Sequence, residues 1–210
     1  SQDEITILIR QGHDNEVRSL AYSEDGRTRV SSSDDTTVRV WDMVHLEEEA
    51  VLREHSEMVT HVALSPQGYL AAGGHDRKLC WWDLESQSLE DSYSCAAAVT
   101  SIRFSPDGRY LAWGEEGTSQ GTKLCIQSTA SAQRNVVRGF EATNGIWALA
   151  FSPGGTELAA ARKNGVVVLY SFPDMVKIAE IEHRVAVRAL QYSPDGRYLA
   201  IAAGAEVPLQ

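Results

Sequence analysis

Short apolar runs recur along the chain at a near-constant interval, each followed by the same kind of turn. Five tetrapeptides mark those turns: Ser23-Glu24-Asp25-Gly26, Ser65-Pro66-Gln67-Gly68, Ser105-Pro106-Asp107-Gly108, Ser152-Pro153-Gly154-Gly155 and Ser193-Pro194-Asp195-Gly196. Their serines lie 42, 40, 47 and 41 residues apart. Proline fixes φ at the first central position, Asp bonds the backbone ahead of it, and Gly accepts a positive φ, so each reads as a β-turn. Six residues before each serine stands Val17, Val59, Val99, Ile146 or Val187, and three before it Leu20, Val62, Ile102, Leu149 or Leu190. Tyr22, Leu64, Phe104, Phe151 or Tyr192 immediately precedes it. This pattern predicts a strand running into every turn. Second strands follow at 28–31, 69–72, 110–113, 157–160 and 198–201. Alternating third strands follow at 37–41, 78–82, 123–126 and 165–170, and weaker fourth strands at 50–53 and 176–181.

No window of helical length keeps a 3.6-residue period, so the chain is expected to be all-β. Four short antiparallel strands per unit of about 42 residues is the pattern of a β-propeller blade; a sandwich does not repeat its own hairpins in this way. About five units are visible, at approximately 11–53, 54–93, 94–138, 139–181 and 182–210. Residues 4–10 read as the last strand of a preceding or closing blade. Val207 to Gln210 is a weak candidate third strand, since Pro208 cannot donate to a ladder. A seven-blade ring of such units needs about 290 residues, which favours part of a larger ring. A closed five-blade ring and completion by another chain stay open.

Trp41-Asp42 and Trp82-Asp83 close two third strands, with Asp35 and Asp76 six residues before those tryptophans. Gly12-His13 precedes the first strand, and Glu54-His55 and Glu182-His183 keep the histidine. In these motifs, spread over nearly the whole chain, the sequence resembles the WD-repeat β-propellers. The resemblance implies a buried hydrogen-bond chain in each blade, from loop His to turn Asp, second-strand hydroxyl and Trp indole, because a buried indole N–H and carboxylate require partners. The matching residues are His13, Ser31, Asp35 and Trp41 in the first unit. The second keeps His55, Asp76 and Trp82 but has Ala72 in place of the hydroxyl. The third has Ile126-Gln127 instead of Trp-Asp and no His before Val99, and the fourth has Asn164 and Tyr170. All of these are expected to be structural rather than catalytic.

Composition narrows the partners. Nineteen basic against 29 acidic residues give a net charge of −10, which argues against nucleic acid, whose binding draws on Lys and Arg. No apolar run approaches the roughly 20 residues of a membrane helix. Cys80, Cys95 and Cys125 form no CxxC pair and fit a reducing compartment, cytoplasmic or nuclear. Nucleophile, phosphate-loop, zinc and calcium motifs are missing. The glycine-rich 114–121 stretch is acidic and would repel phosphate, and His55 and His61 lie six apart, which is no ligand spacing. Carboxylates such as Glu47-Glu48-Glu49 read as solvated loop groups. Neither enzyme activity, nor a cofactor, nor a metal is expected.

Surface recognition remains. Propellers display side chains where the loops leading into first strands and the turns between second and third strands gather on one rim. The flanks of the first-strand apolar residues are Glu16 and Arg18, Met58 and Thr60, Ala98 and Thr100, Gly145 and Trp147, and Ala186 and Arg188; the turns add Asp34 and His75. Trp147 and Arg188 carry most weight, since Trp and Arg dominate hot spots. Trp147 also shares strand parity with Leu149 and Phe151, so packing between blades is its other reading. For Arg18 and Arg188 the other reading is a solvated or salt-bridged strand end. Trp81 either packs on the adjacent blade or projects as an edge contact. The third unit has a longer connection between Ala112 and Lys123 and no turn Asp. Its Glu115-Glu116 tip would favour a basic peptide, unless the loop is simply drift in a degenerate blade. The expectation is a non-catalytic WD-repeat scaffold binding protein or peptide partners; the alternative is a regulatory or sensor propeller module of a larger multidomain protein.

Overall fold

The structure, a computed structural model, describes residues 12–117, 122–130, 136–142 and 145–204. Among them every regular element is a strand. The first sheet holds β1 (Val17–Tyr22), β2 (Thr28–Ser33), β3 (Val38–Asp42) and β4 (Glu47–Leu52). The second holds β5 (Val59–Leu64), β6 (Tyr69–Gly74), β7 (Lys78–Asp83) and β8 (Ser88–Ser94). The third holds β9 (Val99–Phe104), β10 (Tyr110–Glu115), β11 (Thr122–Ser128) and β12 (Val136–Ala142). The fourth holds β13 (Ile146–Phe151), β14 (Glu157–Arg162), β15 (Val166–Ser171) and β16 (Lys177–Glu182). A fifth sheet pairs β17 (Val187–Tyr192) with β18 (Leu199–Ala203). Each four-stranded sheet is antiparallel in chain order, as in a propeller blade.

The repeated serine builds each first hairpin. Gly26, Gly68, Gly108, Gly155 and Gly196 sit at φ between 66° and 84°, where glycine alone is unstrained. Their N–H groups donate to the serine carbonyls four-residue-turn fashion, at 2.8–3.1 Å. Each serine Oγ then accepts the N–H of Thr28, Tyr69, Tyr110, Glu157 or Tyr198, at 2.9–3.0 Å. In three blades the same hydroxyl donates to Asp25, Asp107 or Asp195. A short polar segment thus satisfies its own backbone and starts the next strand.

Blades follow one another because each first strand packs its apolar triad on the sheet before it. Val59 and Val62 join Val30, Val38 and Val40. Val99, Ile102 and Phe104 join Ala71, Leu79 and Trp81. Ile146 and Leu149 join Ala112, Leu124 and Ile126, and Val187, Leu190 and Tyr192 join Ala159, Ala161 and Val167. Each fully buried aliphatic side chain contributes about 1.5–3 kcal/mol. The same triad on β1 is bare: Val17, Leu20 and Tyr22 are 51%, 56% and 54% exposed, and no sheet among the described residues covers them. The expected strands at 4–10 and 207–210 lie outside the described residues.

Trp81 packs rather than projects, lying edge-on to Phe104 with ring centroids 5.3 Å apart. The Glu47-Glu48-Glu49 run corrects a sequence expectation. It is no loop but the start of β4, paired with β3, and the Glu48 carboxylate accepts from Arg39 at 2.5 Å. An outer strand facing solvent tolerates glutamates that strand propensity disfavours.

Candidate functional site

In the first blade the expected hydrogen-bond chain is complete. Trp41 Nε1 donates to Ser31 Oγ at 2.9 Å, and Ser31 lies 2.7 Å from His13 Nε2. His13 Nδ1 faces Asp35 Oδ2 at 2.8 Å. The order of donors assigns Nδ1–H to Asp35 and leaves Nε2 to accept from Ser31. Burial raises the Asp35 pKa, but hydrogen bonds from Thr37, His13 and Asp14 outweigh it and hold the carboxyl well below its ordinary value. In the second blade Asp76 accepts from His55 at 3.0 Å, yet Ala72 offers no hydroxyl and the buried His55 Nε2 has no hydrogen-bond partner. Burial lowers the pKa of His55, partly opposed by Asp76. Each of these bonds stays within one blade; burial likewise pushes the Cys80 thiol up to about 12 and raises Cys95, which favours the thiol over the thiolate. Among the described residues no group of three His, Cys, Asp or Glu is placed to hold a metal ion.

The third blade corrects the acidic-tip expectation. Glu115 ends β10 at 2% exposure, accepting the Ala97 N–H at 3.3 Å with the Cys125 thiol 3.8 Å away. The blade that lacks a turn Asp therefore carries a buried carboxylate on the strand itself, and Glu116 alone stays partly exposed at the turn. Residues 118–121 of that connection lie outside the described residues.

The rim is built by two repeated devices. In every blade the N–H of the turn residue donates to the carbonyl just before the first strand: Asp34 to Glu16, His75 to Met58, Glu116 to Ala98, Lys163 to Gly145 and Gly204 to Ala186, at 2.8–3.1 Å. Two residues beyond that carbonyl the first strand bulges, so that Arg18, Thr60, Thr100, Trp147 and Arg188 each drop out of the ladder register. A bulge re-aims its side chain, so the backbone bond and the bulge together fix three rim positions in each sheet. It also undoes the parity that placed Trp147 with Leu149: Trp147 is half-buried at the rim, while Leu149 is in the core.

The five bulge residues do different things. Thr60 Oγ1 donates to the Val99 carbonyl at 2.5 Å, and Thr100 Oγ1 donates to that of Ile146, so both tie a blade to its neighbour. Arg18 is salt-bridged, its Nε 2.6 Å from Asp34 Oδ1 and Glu16 3.2 Å from its Nη2; the Arg18 bond holds the Asp34 carboxyl below its ordinary value. Trp147 has the Arg188 guanidinium 4.1 Å and the Lys163 ammonium 5.1 Å from its ring centroid. His75 is exposed and Met58 half-buried beside it on the second blade's rim. Lys163 escaped the sequence reading because Asn164 replaces the Asp that flagged the other turns. The signal was present, since Lys163 stands where Asp34 and His75 stand.

With blades and rim in place, the class is a WD-type propeller repeat protein. The family profile described as "WD domain, G-beta repeat" matches residues 5–42, 46–83, 87–114 and 134–171, and the chain belongs to that family. Pre-mRNA-processing factor 19 homolog 2 of Arabidopsis thaliana is 30% identical, over 91% of this chain and 37% of its own length. THO complex subunit 3 of Arabidopsis thaliana is 23% identical, over 91% and 61%. Target of rapamycin complex subunit wat1 of Schizosaccharomyces pombe is 27% identical, over 83% and 57%. The chain thus spans less than two thirds of each of these relatives. As a family, such repeats supply protein-interaction scaffolds.

Proposed function

We propose that this chain is a non-catalytic scaffold that holds protein or peptide segments across its rim. One observation carries the reading: five sheets lock the same three rim positions with the same backbone bond and bulge, yet fill them with different chemistry. An ion cluster (Glu16, Arg18, Asp34), a Met–His pair (Met58, His75), an acid (Glu116) and a Trp–Lys–Arg group follow each other around the rim. Constant geometry with variable side chains is what specific recognition by rigid display requires. Two of the relatives are complex subunits by name, which supports protein partners. The surplus of acidic charge favours basic segments over the Asp34 and Glu116 side, in the cytoplasm or nucleus. Affinity purification from a eukaryotic extract, with an Asp34→Arg/Trp147→Ala double variant as control, tests the reading. Protein partners retained by the wild type and lost by the variant support it; recovery of nucleic acid or metabolites alone overturns it.

The bare β1 triad and the depression of about 620 Å³ beside it, lined by Val17, Leu20, Tyr22, Arg29 and Trp41, support a further blade packed on that face within a larger ring. The same observation suits a module of a longer protein. Native mass, with the length of the encoding gene, decides between a larger ring and assembly from separate chains.

A further inference from the structure

Arg103 stands on β9, and the first strands of successive sheets lie side by side, so they form the inner face of the array. Its Nη1 donates to His61 Nε2 on β5 at 2.5 Å and to the Ile102 carbonyl at 2.8 Å. Among the described residues nothing else bonds the guanidinium. Arg18, Arg27, Arg39 and Arg109 each lie beside a carboxylate, although Arg27 and Arg109 are exposed and need one least. Arg103 is half-buried, and burial lowers its pKa with no neighbouring anion to oppose it. A charge drawn out of water costs free energy unless a counter-charge meets it. Nor does the repeat require an arginine here: counted from the repeated serine, the same position holds Ala21, Ala63, Ala150 and Gln191 in the other sheets.

The way the guanidinium is held leaves one edge of its fork open. With Nη1 fixed by His61 and Ile102, Nε and Nη2 remain, a parallel pair of donors that matches a carboxylate. Arg18 grips Asp34 with that same edge. Neither Nε nor Nη2 of Arg103 is sealed from solvent. We infer that Arg103 anchors a binding site on the inner face for the carboxylate of a small organic acid, with His61 as the residue that positions the guanidinium. The carboxylate supplies the missing counter-charge, and a fork already held in place has little ordering left to do on binding. Arg103 lies three residues beyond the bulge at Thr100, about 10 Å along the strand from the rim. A segment lying across the rim does not need it, so the site stands apart from the scaffold reading.

The experiment titrates succinate into the whole 210-residue chain, with inorganic phosphate and sodium chloride at matched ionic strength for comparison. Binding is read from the arginine Nε–H signals of a nitrogen-15 spectrum, where the signal missing from Arg103→Lys belongs to Arg103. Succinate should move that signal to saturation. Arg103→Lys keeps the charge but loses the fork, and should bind about tenfold more weakly. Arg103→Gln should abolish binding yet melt no lower than the wild type, because it removes an uncompensated cation; a purely structural arginine gives a lower Tm. His61→Ala should weaken binding, and His61→Gln, whose amide oxygen accepts from Nη1, should restore most of it. Phenylglyoxal labelling of the wild type, read by mass spectrometry, serves where a variant does not fold: succinate should slow modification of Arg103 and not of Arg109. An unmoved Arg103 signal, equal affinity in Arg103→Lys, an equal response to chloride, or tighter binding of phosphate overturns the inference. Protein partners captured by the wild type should remain on Arg103→Gln. Their loss places an acidic side chain of a partner at Arg103 and overturns the small-acid site, while the scaffold reading stands.

Discussion

Replacing Ala72 with serine should complete in the second blade the hydrogen-bond chain that the first blade possesses. The two sites align through the strand ladder, Ser31 opposite Leu20 and Ala72 opposite Val62, and differ at this atom: Ser31 joins Trp41 to His13, whereas Ala72 leaves the buried His55 Nε2 without a donor. The His55 side chain is 1% exposed, so bulk solvent does not reach it. An unsatisfied buried acceptor costs about 1–3 kcal/mol. Adding one oxygen to a position that is fully buried crowds a close-packed interior and returns part of that gain. The net expectation is a stabilisation of about 1 kcal/mol, a rise in Tm of about 2–4 °C at this chain length. The reciprocal Ser31→Ala strands both the Trp41 indole N–H and His13 Nε2, and should cost about 2 kcal/mol. Circular-dichroism melts measure both changes. The nitrogen-15 shift of His55 Nε2 should move in Ala72→Ser as that atom begins to accept a hydrogen bond. A lower or unchanged Tm in Ala72→Ser, together with an unmoved His55 resonance, refutes the reasoning.

Further outcomes follow from other groups. His61 on β5 accepts from Arg103 at 2.5 Å, and burial together with the Arg103 charge drives its pKa down to about 3. Its folded pKa lies below its unfolded one, so its stabilising share is whole above about pH 6.5 and fades as pH falls toward 3. At pH 5 the loss is about 2 kcal/mol, and His61→Gln should remove that share in urea titrations at pH 7 and 5; an unchanged difference between the two pH values sinks the idea. Thr60→Val and Thr100→Val each remove a hydroxyl that bridges blades and should cost about 1 kcal/mol, measured by thermal melts. Gly26→Ala meets open space at φ +70° and should cost only about 1 kcal/mol of left-handed strain. At Gly165 (φ +88°) a Cβ would lie 2.4 Å from the His183 carbonyl oxygen, so Gly165→Ala should lose far more in the same melts.

Much of the molecule was legible because its determinants are local. The Ser–x–x–Gly turn satisfies itself within a few residues, the period-2 runs declare their strands, and the His13–Ser31–Asp35–Trp41 chain keeps a spacing that one blade imposes. Their repetition at about 42 residues made the sheets countable. Other features escaped for a shared reason. Trp147 reads as core by alternation, but a bulge arises from how two paired strands fall out of step, and it turned the ring to the rim. Glu115 reads as an exposed tip, yet its strand carries it to the Ala97 N–H and Cys125. The Glu47–Glu49 run reads as loop, and becomes strand only because β3 is there to pair with it. The sign of charge at one end of the rim depended on Arg188 crossing from one blade to the next to meet Trp147. By itself the sequence determined the repeat, the strands and the turns, all set by contacts between near neighbours in the chain, while the buried network followed from its resemblance to the WD-repeat propellers. The tertiary structure alone decided which side chains meet on the rim and with what charge, because those meetings join residues that only the packing of one sheet on another brings together.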